Sequence, residues 1–381
     1  MVTGVRGRNL ACALALCAIV APLLAQTKQP AVKPAVLAKL AEPWPDAEAM
    51  RERRIEAERR RLFTGLDPVP LTLTADFKSI NKDRRTEGKQ DYPGVLEAPG
   101  GNATPDTLHV NLRTRGHFRL RSTSCSFVPL RLEFEKEEAH GTLFDNQKTL
   151  KLITHCRNDR EYEQYPIREF LVYRMLNILT PGSFRARLAR VSYLQTGEAK
   201  PLITRLGLFL EDDDDVARRM EGRIMEMPRL LFKDVDPQKL TLDMLFEYMI
   251  GNTDFSMFML HNIRLVRTPS RVIYTVPYDF DLSGLVNTAY AIPDRAFMIK
   301  SVRERVYRGP CRPLDEVEAT IAKFKEHQSE ILALYDSVPE IDPNYRREAK
   351  DYLAEFFRLL DRKGDVKRTF VDGQCSSKPT M

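Results

Sequence analysis

The sequence predicts an α+β fold, with a strand-rich first half, a helical second half and a cleft between them. Three observations carry this. Between Val69 and Leu210, apolar and polar residues alternate in short runs bounded by Gly and Pro, the period of half-buried strands. One segment there, Tyr165–Leu179, follows a different period: Ile167, Phe170, Leu171, Met175, Ile178 and Leu179 recur at helical spacing, and Pro181-Gly182 ends the run. From Asp315 onward the text is mostly helical, with apolar residues set among abundant charge. Apolar residues make up 43% and charged residues 29%, which excludes wholesale disorder and fibrous folds. Lys and Arg total 59 against 53 acids, a balance too mild for a dedicated nucleic-acid binder.

Taken in order, residues 1–25 read as a secretory signal peptide. Arg6 and Arg8 form a basic start, the apolar run Leu10–Ala25 is too short to span a bilayer, and Ala25 offers a small residue for cleavage. The mature chain then carries no transmembrane segment, loses two arginines and no acid, and has a net charge of +4. Its location is periplasmic or secreted. Four cysteines remain, Cys125, Cys156, Cys311 and Cys375, and an exported chain with an even count predicts two disulfides. Four cysteines allow three pairings; Cys125–Cys156 and Cys311–Cys375 are favoured because each is the nearer pair in sequence. Residues 26–66 are a Pro/Ala/Lys-rich linker followed by a charged helix, Asp46–Phe63, whose leading acids suit the helix dipole and which reads as a solvated helix lying on the domain.

Residues 67–214 form the strand-rich half. Alternating runs start at Val69, Leu108, Leu130, Thr149, Arg187 and Pro201, and the last two are joined at Thr196-Gly197. The stretch holding Pro93, Gly94, Pro99, Gly100 and Gly101 reads as a loop, and Glu211–Asp215 (EDDDD) as a solvated acidic loop. Residues 215–381 form the helical half. Thr241–Ile250 is an apolar helix, Ile263–Val266 and Val272–Val276 a short strand pair, and Glu316–Leu334 and Asn344–Leu360 two long helices.

The chemistry concentrates between Asn252 and Gly284. Asn252 and Asp254 follow an apolar helix, His261 and Asn262 precede one strand of the pair, and Asp279 and Asp281 follow the other. Folding the strand pair brings its outer ends together, so Asn262 and Asp279 become neighbours with Asp254 close by. A carboxylate with an amide oxygen can hold Mg²⁺, and a second carboxylate can accept a proton from a nucleophilic hydroxyl. Singly these residues are caps and turn formers; as an ordered set they are the constellation that phosphoryl transfer uses.

This order resembles the helical lobe of the spore-coat CotH kinase family: Asn252-Thr253-Asp254, then His261-Asn262, then Pro277-Tyr278-Asp279-Phe280-Asp281. Arg113-Thr114-Arg115-Gly116 resembles that family's R-x-R-G turn and Leu206–Glu211 its hinge strand, so the likeness covers about residues 105–290. The resemblance implies a two-lobed protein-kinase-like fold and an exported kinase that transfers phosphate from ATP, with Mg²⁺, to a protein or small-molecule hydroxyl in the envelope or outside the cell. It implies Asp254 as catalytic base, and Asn262, Asp279 and Asp281 as the metal-holding group. Lys151 would hold the nucleotide phosphates, paired with Glu169, with Arg115 and Gly116 at the phosphate-facing turn and Lys148 as the alternative lysine. The chain departs from the family in having no lysine between Cys125 and Leu130, where one is usual, and it has no G-x-G-x-x-G. Two alternatives stand beside the kinase: a catalytically inactive protein of the same fold acting as an envelope binding or scaffold protein, and a metal-dependent hydrolase using the same acids.

Overall fold

The structure, a computed structural model, describes Met1 and residues 34–101, 104–373, 375–377 and 379. Apart from Met1, the expected signal peptide lies outside the described residues, as does the linker before residue 34.

Helix α1 (Pro34–Ala41) leads into α2 (Ala47–Glu58), capped by Asp46, whose carboxylate accepts the Ala49 amide at 2.8 Å. Seven strands follow: β1 (Val69–Ala75), β2 (Tyr92–Ala98), β3 (Asp106–Thr114), β4 (Leu130–Phe134), β5 (Thr149–Ile153), β6 (Ala186–Gln195) and β7 (Ile203–Leu210). The one-turn helices α3 (Phe77–Ile80) and α4 (Lys136–Ala139) sit in their connections, and α5 (Arg160–Leu179) crosses between β5 and β6. The sheet runs β1-β2-β3-β4-β5-β7-β6 and closes on itself. Closure is made by β1 and β6, parallel from Val69 opposite Ala189 to Ala75 opposite Gln195; the other neighbours are antiparallel.

Alternation explains the filling. Leu71, Leu73, Leu96, Val110, Leu112, Leu130, Leu132, Leu150, Leu152, Val191, Tyr193 and Phe209 share one buried core, as a small barrel filled by its own side chains requires. The outward residues of β6 and β7, among them Leu188, Leu206, Leu208 and Leu210, join a second core with α5. These two strands are therefore buried on both faces.

The second half begins with α6 (Asp213–Arg219) and β8 (Arg223–Ile224), then α7 (Pro237–Ile250), β9 (Ile263–Arg267) and β10 (Ile273–Pro277). Strands β10, β9 and β8 form a small antiparallel sheet. Helix α7 starts with Pro237 behind an Asp236 cap and ends on Gly251 in the left-handed conformation (φ 66°), where a side chain would collide with the Tyr352 hydroxyl. Helices α8 (Leu314–Glu326), α9 (Gln328–Ala333), α10 (Pro343–Leu360) and α11 (Lys363–Val366) close the second core.

The closed barrel overturns the expected two-lobed protein-kinase-like fold. The α+β character stands, but the strands do not form the lobe of that fold. Alternation tells which face of a strand is buried; it carries nothing about whether the two edges of a sheet meet, and here β1 and β6 meet along their whole shared length. Strand β2 was read as loop because Pro93 and Gly94 stand at its start, yet its backbone pairs on both sides, with β1 and β3. Helix α5 begins at Arg160, ahead of the expected Tyr165, and runs through Pro166. The single long helix expected over Glu316–Leu334 is broken at His327.

The acidic run is not a solvated loop: Asp213–Asp215 open α6, and only Asp214 is exposed. Asp212 caps α6, and Glu211 is fully buried between Arg185 (2.7 Å) and Arg219 (2.8 Å). Asp215 is buried against Arg60 (2.7 Å), which anchors the end of the charged α2 segment to α6. Asp213 binds Lys151 and Arg264, each at 2.7 Å.

Both expected disulfides are present, Cys125–Cys156 and Cys311–Cys375, closing sequence separations of 31 and 64 residues. Among the described residues no helix is long and apolar enough to cross a membrane. Replacing Cys125 and Cys156 together by Ser should lower the unfolding free energy by roughly 3–4 kcal/mol, the loop-closure entropy for a crosslink of this span. Urea denaturation with and without reductant checks this: reductant should shift the wild type and leave the double variant's response to that bridge absent.

Candidate functional site

The strand pair does bring its ends together. Within β9–β10, Ile263 pairs with Pro277, and the Tyr278 amide donates to the Asn262 carbonyl at 3.0 Å, so Asn262 and Asp279 flank one end of the hairpin. Both adopt left-handed backbone, φ 53° for Asn262 and 64° for Asp279, a conformation Asn and Asp tolerate better than other side-chain-bearing residues. The Asn262 amide Nδ2 donates to the Asp254 carboxylate Oδ2 at 3.0 Å and to its carbonyl at 2.7 Å. His261, half-exposed, lies 3.0 Å from Asp254 Oδ1, and that contact raises the histidine's pKa.

The loop carrying Asp254 is held from below. Asn252 accepts the Asp254 amide (3.0 Å) and donates to Glu247 Oε2 (2.9 Å), while Arg308 donates to the carbonyls of Thr253 and Phe255. Glu247 is buried, and burial pushes its pKa to about 8. The signal for this support in the sequence is Glu247 itself, an acid one turn after Asp243 in a mostly apolar helical run.

Asp281 is spoken for. Arg119, from the loop after β3, donates to its Oδ2 at 2.8 Å, and the Tyr290 hydroxyl donates to the same oxygen at 3.0 Å. Asp281 thus joins the barrel to the second half through its Oδ2. Arg119 and Tyr290 were missed by the sequence reading; Arg119 lies three residues past Gly116.

Asp279 lies beside Asp281 and Glu169. Burial, then the charge of Asp281, raises its pKa, against the opposing pull of Arg115 and Arg119. Its backbone amide donates to the Tyr173 hydroxyl at 2.9 Å. Gly116, at φ 85°, has open space where a side chain would stand.

The expected Lys151–Glu169 pair does not form. Lys151 points outward from β5, between the inward Leu150 and Leu152, and binds Asp213, with the rings of Tyr278 and Phe184 within 5.9 Å of its ammonium. Burial lowers its pKa despite Asp213. Lys148 is exposed. Glu169 lies on α5, and among the described residues neither carboxylate oxygen has a hydrogen-bond partner. The partner Lys151 takes instead is Asp213, three residues past the end of β7 in the acidic run and on the first turn of α6. Among the described residues no group of three or more His, Cys, Asp or Glu side chains is arranged to hold a metal ion.

Glu247 makes stability pH-dependent with a definite sign. Its folded pKa, about 8, lies above the ordinary carboxyl value, so the folded state holds a proton that the unfolded chain releases at lower pH. Stability from this group is therefore full below about pH 4.5 and falls as pH rises toward 8, by an amount on the order of a few kcal/mol. Glu247→Gln should flatten that fall; chemical denaturation at a series of pH values measures it, and an unchanged slope in the variant would assign the fall to other acids.

No protein-family model matches the chain, and no curated protein matches it in sequence.

Proposed function

We propose that the chain is an exported phosphotransferase that moves a phosphoryl group from Mg²⁺-ATP to a hydroxyl acceptor. The observation that carries this reading is the gathering of Asp254, Asn262 and Asp279 at one end of the β9–β10 hairpin, facing Arg115 and Arg119 from the barrel. The chemistry does not require a two-lobed fold, since sites of one kind recur on unrelated scaffolds. Export is supported by the basic-then-apolar first 25 residues and by two disulfides, which persist in oxidising compartments.

In this reading Asp254 orients the acceptor hydroxyl and takes its proton as the oxygen–phosphorus bond forms and ADP leaves. Asn262 and His261 fix the carboxylate from two sides. Arg115 offsets charge on the phosphates from the barrel side. A divalent cation would be held by Asp279 and the Asn262 amide oxygen, a hard-oxygen set that suits Mg²⁺ with waters retained, and would neutralise charge at the phosphates. Asp281 keeps Arg119 in place. A second reading, a binding or scaffold protein without turnover, is favoured by one observation: Lys151, the lysine expected at the nucleotide phosphates, is engaged by Asp213, which Arg264 also holds.

The two acids should separate on mutation. Asp279→Ala should weaken Mg²⁺-dependent ATP binding about tenfold or more, whereas Asp254→Asn should keep binding and lose turnover by a factor of about 10²–10⁴. Calorimetry with Mg²⁺-ATP and incorporation of labelled phosphate are the measurements. Absence of ATP binding by the wild type at millimolar concentration would favour the scaffold reading, and turnover of phosphoesters without nucleotide would favour a hydrolase.

A further inference from the structure

We infer that Glu169 is a ligand of a divalent cation shared with Asp279, and not the partner of a nucleotide-binding lysine. The inference rests on the phosphotransferase reading for its purpose, but its evidence is separate. Glu169 is 1% exposed, and among the described residues neither of its carboxylate oxygens has a hydrogen-bond partner. A buried carboxylate with nothing to satisfy it costs several kcal/mol, so chains keep one only where something else supplies a proton or a charge. The lysine expected to do so, Lys151, is bound to Asp213.

Helix geometry places Glu169 toward the site. Tyr165 and Tyr173 stand one turn before and one turn after it on α5, so all three share a face. The Tyr173 hydroxyl accepts the Asp279 amide at 2.9 Å, and the Tyr165 hydroxyl accepts the Ala289 amide at 2.9 Å. The Tyr165 ring also packs edge-on against Tyr290, which donates to Asp281. The face of α5 that carries Glu169 is thus laid against the segment Asp279–Tyr290. Arg119, the cation nearest in that segment's contacts, is turned to Asp281 and Tyr290 and makes no hydrogen bond to Glu169. Consistent with this crowding, burial and the charges of Asp281 and Asp279 push the Glu169 pKa to about 8. Carboxylates from two facing elements are oxygen donors of the hard kind that Mg²⁺ and Mn²⁺ accept, with waters completing the shell.

The test uses the full chain and metal alone, without nucleotide. Mn²⁺ titration followed by calorimetry, and Tb³⁺ emission sensitised by the neighbouring tyrosines, read binding directly; melting temperature reads the apo state. The wild type should bind Mn²⁺ and melt higher with it. Glu169→Gln should melt higher than the wild type without metal, bind Mn²⁺ at least tenfold more weakly, and gain nothing from it on melting, while Glu169→Asp should retain part of the binding. Equal Mn²⁺ binding by Glu169→Gln and the wild type, with loss in Asp279→Asn, overturns the role of Glu169 and leaves phosphoryl transfer standing. Absence of Mn²⁺ and Tb³⁺ binding in the wild type also overturns it, and the phosphotransferase reading is then judged by phosphate incorporation alone.

Discussion

Arg119 reaches from the loop after β3 into the second half of the molecule and closes on Asp281 and Tyr290, and this contact fixes the barrel against the segment that carries Asp279. The pair is largely withdrawn from water, about 10% exposed on each side. A charge pair so placed is not a source of much net stability, because desolvation offsets most of the attraction. Its value is geometric. Removing either partner would leave the other charge buried and alone, so the two halves are held to one relative position at the point where Asp279 and Glu169 come together. The loop that carries Arg119 is itself fixed: Arg84 donates to the carbonyls of Cys125 and Ser126, Arg157 donates to that of Ser124, and the Cys125–Cys156 bridge ties its far end to the end of β5.

The distribution of charge elsewhere sharpens the meaning of the site. Along the run Glu211–Asp215 the fold gives its buried acids close cations: Glu211 has Arg185 and Arg219, Asp213 has Lys151 and Arg264, and Asp215 has Arg60 and Arg218. Burial alone works to raise Asp213, yet Lys151 and Arg264 together hold it below the usual carboxylate range. Glu169 and Asp279 feel the charges of Arg115 and Arg119, but burial and the neighbouring acids outweigh these and both move the opposite way. Where the two cores meet, burial and the crowding of acids outweigh the nearby arginines, so Glu169 and Asp279 hold their protons more tightly than Asp213 does. Perturbed carboxylates in such a place are the usual mark of a functional site.

How much of this was legible follows from what each sequence signal measures. Period-two alternation found β1, β3, β4, β5, β6 and β7, because each has one face in the barrel core; it missed β2, where Pro93 and Gly94 carry turn chemistry into a paired strand. The hairpin ends were legible because strand pairing is local, and Asn262 and Asp279 are separated by the hairpin alone. Barrel closure was not, since Val69 and Ala189 are joined only by the register of two distant strands. For the same reason Arg119–Asp281 and Lys151–Asp213 could not be read: each depends on which way a loop or a short helix turns after the strands have closed. The acidic run misled because solvated charge and charge that meets arginines in the fold have the same composition.

The barrel also changes what the site can be asked to do. A two-lobed fold of the kind first expected sets its nucleotide between lobes that move, with the lysine and its glutamate brought together as they close. Here Lys151 sits on a strand hydrogen-bonded on both sides within a closed barrel, and α5 is packed over β6 and β7 with its buried face continuous with the second core. Neither element is free to slide toward the other without breaking a core. Positioning must therefore come from preorganisation: a hairpin whose ends are fixed in left-handed backbone, an arginine clamped to Asp281, and a glutamate held between two tyrosines on a rigid helix. Groups held that way contribute to a reaction by being in place before the substrate arrives, which is where electrostatic preorganisation acts most strongly. On this scaffold the acids, and not a mobile lysine, are the parts around which phosphate chemistry would have to be organised.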